Sequence, residues 1–297
     1  MMLKEYLEKR GEFKENFPLS RISSIKIGGV CIGLWIPDGL ESLLEGLGFL
    51  VEKGLDFKVI SGGTNVLIND RKLDFIVISL RKFKKISLED GLLKAGAGLK
   101  FSHLLKYCRE NSLSGLEFLA GVPARLAGGL ANNFSFKNTS FSDVVEQVSV
   151  IDVSILAVKN IQRSDIYFSH HYSSLKEQNY IITEVWLKTA KKSFKSIIRK
   201  IKENIQYRLA FQDLKYPSLG CIFKNPSSSV SAGRLIDECG LKGFGIGGAG
   251  VSFKHANFII NKGRAGFEDV ISLISYVKEK VYQKTGVRLE EEIEIWQ

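Results

Sequence analysis

The residues best suited to chemistry lie in one run, Tyr216-Pro217-Ser218-Leu219-Gly220-Cys221-Ile222-Phe223-Lys224-Asn225-Pro226. Pro217 and Gly220 turn the backbone, and Cys221-Ile222-Phe223 reads as a short strand. A thiol leaving a glycine turn, with a cation at Lys224 and an amide at Asn225, can set a proton donor beside groups that grip an anion. The competing reading is a buried structural cysteine, because free cysteine is among the most buried residue types. Near the C-terminus, residues 288–296 read as a strand in which Glu290, Glu292 and Glu294 share a face. That face is either solvated or turns a carboxylate inward. The pair His170-His171 falls in a polar loop; no third ligand sits at metal-binding spacing, so no metal is expected.

Several glycine-rich loops must approach a ligand or the protein's own backbone. Ser61-Gly62-Gly63-Thr64-Asn65 follows the apolar strand pattern of 57–60. Backbone N–H groups in such a loop can converge on a pyrophosphate, although the spacing is not that of a P-loop. Small residues dominate 116–133, where a bare backbone admits either a flat ligand or close helix–strand packing. Gly243-Phe244-Gly245-Ile246-Gly247-Gly248 matches G-x-G-x-x-G literally, with Glu268 and Asp269 near the distance of a ribose-binding acid. A dinucleotide reading fails because a helix, not a strand, precedes these glycines.

The elements that position these groups are legible in outline. Helices are expected over about 40–53, 101–111, 192–208 and 231–239, the last capped by Ser231 and ended by Gly240. Val270, Leu273, Ile274, Val277 and Val281 form one helical face that belongs in a core. Strands are expected at 24–27, 57–60, 75–80, 85–88, 92–95, 148–158, 180–187, 249–253 and 256–261. Residues 1–20 read as a short helix and a lead-in.

Composition bounds the rest. A chain of 297 residues with 44% hydrophobic and 25% charged residues is globular. The charged N-terminus has no signal-peptide core and no apolar run spans a membrane, so a cytoplasmic protein without membrane insertion is expected. The net charge of +10 favours an anionic ligand, and the absence of a dense basic block favours a small anion over nucleic acid. Cys31, Cys108, Cys221 and Cys239 form no C-x-x-C pair and read as reduced thiols.

Taken in order, residues 24–29, 62–68, 121–133, 217–226, 231–261 and 289–292 resemble the UDP-N-acetylenolpyruvoylglucosamine reductases of bacterial cell-wall synthesis. The run 231–261 is the most specific part. The resemblance implies an α+β fold: an FAD-binding module of the vanillyl-alcohol oxidase type in two subdomains, 1–83 and 84–190, then an α+β substrate-binding domain, 191–297. It implies that NADPH reduces FAD and that the flavin then gives hydride to the vinyl carbon of UDP-N-acetylglucosamine enolpyruvate. The short segment between His171 and Tyr180 points to the family subtype lacking an extra substrate-covering loop, and a monomer is expected.

The resemblance also implies roles for individual residues. Cys221 matches the proton donor, where many members carry serine, and Glu292 matches the catalytic glutamate. A thiol, with a reference pKa of about 8.5, is a far better acid than an alcohol. His171 stands where the family has arginine, so a permanent bidentate cation gives way to one that exists only on protonation. The carried-over flavin contacts are Gly62, Gly63, Thr64, Asn65, Gly121, Pro123, Gly128 and Asn133. Phe134-Ser135-Phe136 departs from the family's usual Ala-Gly-Ala-Tyr there. The UDP-sugar contacts are Lys224, Asn225, Lys242, Gly247 and Asn257. Two rivals are another oxidoreductase on the same FAD module and a UDP-sugar-binding homologue impaired by the changes at 171 and 221.

Overall fold

The computed structural model describes residues 2–227 and 229–297. The chain forms two compact units, neither contiguous in sequence. The first comprises Met1–Phe17, Cys31–Gly62 and Asp74–Gln206; the second comprises Pro18–Val30, Gly63–Leu73 and Tyr207–Gln297.

The first unit is built on two sheets. Four strands run in the order Gly11–Pro18, Val30–Pro37, Leu73–Ser79 and Phe57–Ile60, the last two parallel with Phe57 opposite Ile76. The helix Leu40–Glu52 buries Leu43, Leu47 and Leu50, the one-turn spacing of an amphipathic helix. Gly46 lets this helix close on the buried Trp35, since a Cβ there would sit 2.0 Å from the indole. Trp35 in turn donates its ring N–H to the carbonyl of Leu7 at 3.2 Å. The second sheet is antiparallel, in the order Ala157–Gln162, Val145–Asp152, Tyr180–Leu187, Leu92–Gly96 and Ile86–Glu89. One hydrophobic cluster joins both sheets through Trp35, Ile78, Phe101, Val148 and Val185.

In the second unit, Ser218–Cys221, Phe258–Asn261, Ala249–Val251 and Gly245–Ile246 form an antiparallel sheet in that order. The helix Phe267–Thr285 covers it with the expected face, Val270, Leu273, Ile274, Val277 and Val281 all being buried. Each such side chain contributes about 1.5–3 kcal/mol on leaving water. The helix Ala232–Glu238 is capped by Ser231, whose hydroxyl accepts the Arg234 N–H at 3.1 Å, and Gly240 follows in the left-handed region. Glu294–Trp296 pairs in parallel with Val66–Ile68.

Four expected elements differ. Residues 24–27 alternate in burial like a strand, with Ile25 and Ile27 inside, but Lys26 has φ +65° and no ladder forms. The apolar residues serve the second unit's core from an irregular segment. The stretch 148–158 is the end of one strand and the start of the next, joined by a turn in which Leu156 has φ +52°. The lead-in before residue 20 contains the strand Gly11–Pro18. At the C-terminus only Glu294–Trp296 is a strand, so the three glutamates do not share a pleated face. No helix among the described residues is long and apolar enough to cross a membrane.

Candidate active site

Cys221 and Glu292 are held together by the main chain of one residue. The strand Ser218–Cys221 ends with Cys221 opposite Phe258, after an irregularity at Gly220, which has φ +80°. Ile222 then donates its N–H to the carbonyl of Asn257 at 2.9 Å and accepts the N–H of Glu292 at 2.7 Å. Asn257 is 3% exposed, and its side chain clamps Phe223, accepting the N–H at 2.9 Å and donating to the carbonyl at 2.8 Å. On the other side, Asn65 donates from its side chain to the Glu292 carbonyl at 3.1 Å and accepts the Glu294 N–H on its own carbonyl at 2.9 Å.

The electrostatics keep a proton on the thiol. Burial pushes the Cys221 thiol well above its ordinary range, and the Glu292 charge adds to this. Arg208 and a hydrogen bond with Asn257 act in the opposite sense by favouring the thiolate. The thiol is therefore a weaker acid here than in a free cysteine. Arg208 is only 4% exposed, and burial lowers its guanidinium to about 10. It remains cationic at neutral pH. Nothing in the spacing marked this arginine, because it lies in the last turn of Phe194–Phe211, far along the chain from Glu292.

The other carboxylates of the closing segment face elsewhere. Glu290 is exposed and lies 3.5 Å from Lys224, Glu291 pairs with Lys278 at 2.8 Å, and Glu294 accepts the Trp296 ring N–H at 2.7 Å. Among the proposed sugar-nucleotide contacts, Lys242 pairs with Asp237 at 2.6 Å, and Asn225 accepts the Ala232 N–H at 3.0 Å. Gly247 lies against Asp269, which also accepts the N–H groups of Gly248 and Gly266 at 3.0 and 3.1 Å. The literal G-x-G-x-x-G run is therefore a hairpin tied to the start of a helix. His255 was not marked by the sequence; its Nδ1 is buried without a hydrogen-bond partner, and burial and then Lys242 lower its pKa.

The first unit carries a different set. Gly121 turns with φ +80°, and the helix Leu126–Ala131 begins after Arg125. A Cβ on Gly128 would lie 3.4 Å from Ser61, and one on Gly62 would lie 3.5 Å from the Arg125 N–H, so neither glycine is needed for the protein's own packing. The Ser61 hydroxyl is buried beside them with no hydrogen-bond partner in the protein. Arg125 donates to the Gly98 carbonyl at 2.5 Å, and its pKa is lowered by burial and then by the charge of Arg81. An open glycine cradle, an unused hydroxyl and the partly buried guanidinium of Arg125 suit a phosphate-bearing cofactor such as FAD; Arg81 is already paired with Glu12 at 2.6 Å.

Asn133 and His171 also belong to the first unit. Asn133, with φ +41°, donates to the Ser169 carbonyl at 2.9 Å and accepts the Ser142 N–H at 3.0 Å. It thereby fixes a hairpin in which Ser169 pairs with Tyr172 and His171 turns with φ +56°. A polar cavity of about 340 Å³ is lined there by Asn133, Ser135, Lys137, Asp143, Ser169 and His171, among others. Gly63, Thr64 and Asn65 fall in the second unit, where Gly63 accepts the Ser24 N–H at 2.9 Å.

Comparison with known proteins finds two matched regions. An FAD binding domain family matches residues 32–154, and the C-terminal domain of UDP-N-acetylenolpyruvoylglucosamine reductase matches residues 212–296. The chain is 36% identical over 295 residues to the UDP-N-acetylenolpyruvoylglucosamine reductase of Caldanaerobacter subterraneus subsp. tengcongensis, covering 99% of this chain and 96% of that one. It is 37% identical over 290 residues to the enzyme of that name from Petrotoga mobilis, covering 96% and 95%. The crystal structure of UDP-N-acetylenolpyruvylglucosamine reductase from Thermus caldophilus superposes with a TM-score of 0.82 at 31% identity, over 97% of this chain and 99% of that one. A BBE-like 1 variant of Physcomitrella patens shares the fold at a TM-score of 0.51 and 15% identity, over 65% of this chain and 45% of that one. The α+β fold is thus an FAD-binding module of the vanillyl-alcohol oxidase type with a further α+β part, and the chain belongs to the UDP-N-acetylenolpyruvoylglucosamine reductase family.

Proposed function

We propose that this chain is an FAD-dependent oxidoreductase that uses NADPH to reduce UDP-N-acetylglucosamine enolpyruvate to UDP-N-acetylmuramate, a step of peptidoglycan precursor synthesis. Family membership over nearly the whole length carries the reaction. The Ile222 hydrogen bonds that hold Cys221 to Glu292 are the observation that supports the site. When bound, FAD supplies a hydride acceptor for NADPH and a hydride donor for the vinyl carbon C3. The flavin-facing set is Gly62, Gly63, Thr64, Asn65, Gly121, Pro123, Gly128 and Asn133, with Ser61 and Arg125 added by their positions.

Hydride arriving at C3 leaves negative charge on C2 and the adjoining carboxylate. In this reading Cys221 passes its proton to C2. The thiol holds that proton at neutral pH because burial and Glu292 disfavour the thiolate. The thiolate that results is stabilised by Arg208 and Asn257 until it recovers a proton from solvent. Glu292 orients and polarises the enolpyruvyl group. One preorganised donor at a developing oxyanion contributes roughly 3 kcal/mol. His171 meets the substrate carboxylate, in place of the family's arginine, and His171→Arg is expected to preserve or raise turnover. A large loss in steady-state rate on that change would remove His171 from the role.

Lys224, Asn225, Lys242, Gly247 and Asn257 are the proposed UDP-sugar set. Residues 1–83 and 84–190 are the proposed FAD subdomains and 191–297 the substrate domain. We take the protein to act as a cytoplasmic monomer. The deciding experiment is anaerobic: bleach the flavin spectrum with NADPH, then add UDP-N-acetylglucosamine enolpyruvate. Return of the oxidised spectrum with this substrate supports the reading. A spectrum that stays bleached, or a protein that takes up no FAD, sinks it.

A further inference from the structure

Two asparagines stand at the two sides of the Cys221–Glu292 pair, and the side chains of both bond main chain, that of Asn257 also bonding the Cys221 thiol. Asn257 takes both polar atoms of its amide to the backbone of Phe223, 2.9 Å to the N–H and 2.8 Å to the carbonyl. Its own carbonyl receives the Ile222 N–H at 2.9 Å, and the Ile222 carbonyl receives the Glu292 N–H at 2.7 Å. Asn65 closes the other side: its side-chain N–H reaches the Glu292 carbonyl at 3.1 Å, and its own carbonyl takes the Glu294 N–H at 2.9 Å. Asn65 is also the residue that leads into Val66–Ile68, the strand paired in parallel with Glu294–Trp296. The run of bonds is continuous, from the Phe223 backbone through Asn257, Ile222 and Glu292 to Asn65.

We infer that Asn65 and Asn257 are positioning residues that set the Glu292 carboxylate and the Cys221 thiol in register for the second half of the reaction. The inference rests on the reading that Cys221 and Glu292 act on the enolpyruvyl group. The chemical reason is geometric. Isolated main-chain segments joined by single hydrogen bonds drift, and an error of about 1 Å in a reacting group can cost about 100-fold in rate. Neither Cys221 nor Glu292 sits within a long ladder: the strand at Cys221 ends there, and the segment before Glu294 meets its neighbour through one bridge at Phe223 and Glu291. The asparagines supply the register that a regular sheet supplies elsewhere. Asn65 also lies in the glycine loop proposed to face the flavin, so flavin content and reoxidation are read separately.

The test uses the full-length FAD-loaded enzyme. Asn65→Asp and Asn65→Ala both remove the donor to Glu292, the first with almost no change of size; Asn257→Ser tests the other side. Flavin content, the rate of bleaching by NADPH and the rate of reoxidation by UDP-N-acetylglucosamine enolpyruvate are measured anaerobically beside the wild type, the last from pH 6 to 9. The expected result is reoxidation slowed by about 100-fold with an altered pH profile, a loss at least tenfold larger than any fall in flavin content or bleaching rate. Reoxidation that falls no further than flavin content and bleaching rate would overturn the inference, because Asn65 would then act through the cofactor alone. So would reoxidation at the wild-type rate. Asn257→Ser, if it fails to fold, leaves the Asn65 pair to decide. A wild-type flavin that bleaches and never recovers strikes the reductase reading itself and takes this inference with it.

Discussion

The two glycine-rich regions look alike in sequence and do opposite things. In the second unit, a Cβ on Gly248 would lie 2.2 Å from the Ala265 backbone nitrogen, and one on Gly247 would lie 2.2 Å from the Asp269 carboxylate. Those glycines are filled from one side by the protein. In the first unit, Gly62 and Gly128 leave 3.4 to 3.5 Å to their nearest neighbours, and the Ser61 hydroxyl beside them has no protein partner. A glycine required by packing and a glycine left open for a ligand are distinguished by what a methyl group would strike. The literal dinucleotide motif falls in the first class and the weaker-looking loop in the second.

In the second unit these glycines serve packing, and the proposed acid is Cys221. Cys221→Ala is therefore expected to slow flavin reoxidation by the substrate by about 10²- to 10⁴-fold, the usual contribution of a positioned acid, with NADPH bleaching intact. Rapid mixing under argon reads both rates, and equal losses in both would move the residue from acid to cofactor support. Next in size, Gly248→Ala should cost about 1–3 kcal/mol of stability, because a backbone atom must shift to admit the methyl. Denaturant unfolding of the second unit measures it, and a neutral result would reopen a ligand role for that turn. Gly128→Ala inverts the pattern. Alanine favours the helix Leu126–Ala131 by up to about 1 kcal/mol, so the apoprotein should lose no stability. FAD affinity should fall about tenfold, read by flavin fluorescence titration.

The smallest expected effect is electrostatic. The N–H groups of Gly248 and Gly266 hold the Asp269 carboxyl below the usual carboxylate range. Its folded pKa is depressed, so its contribution is present above the unfolded pKa and is lost as pH falls through the folded one. Asp269→Asn should cost about 1 kcal/mol at neutral pH and flatten the acid side of the stability profile. Urea midpoints between pH 3 and 7 check both. An unchanged acid limb would mean that the two backbone bonds carry little charge dependence.

Parts of the architecture are written plainly in the residues. The buried face of Phe267–Thr285 follows from apolar spacing, and the ends of Ala232–Glu238 follow from Ser231 and Gly240, because helix period and capping are local rules. The irregular segment at 24–27 misled the same kind of reading. Alternating burial arises wherever a segment lies along a core, whether or not a ladder of hydrogen bonds accompanies it. The closing glutamates were misread for the same reason: their strand begins only at Glu294.

The sequence by itself determined that Cys221, Glu292 and the glycine loops were the groups worth following, since residue type and order carry that information. Tertiary structure supplied the physical reason that Glu292, and not its neighbours, bears on the thiol. Glu290 and Glu291 are drawn off by Lys224 and Lys278, while Glu292 is tied to Ile222. It also decided that the thiol is buried beside Glu292, which favours the protonated form, and that the buried cation Arg208 opposes this in part. Both depend on desolvation and on charges remote in sequence, and those exist only once the chain has closed on itself.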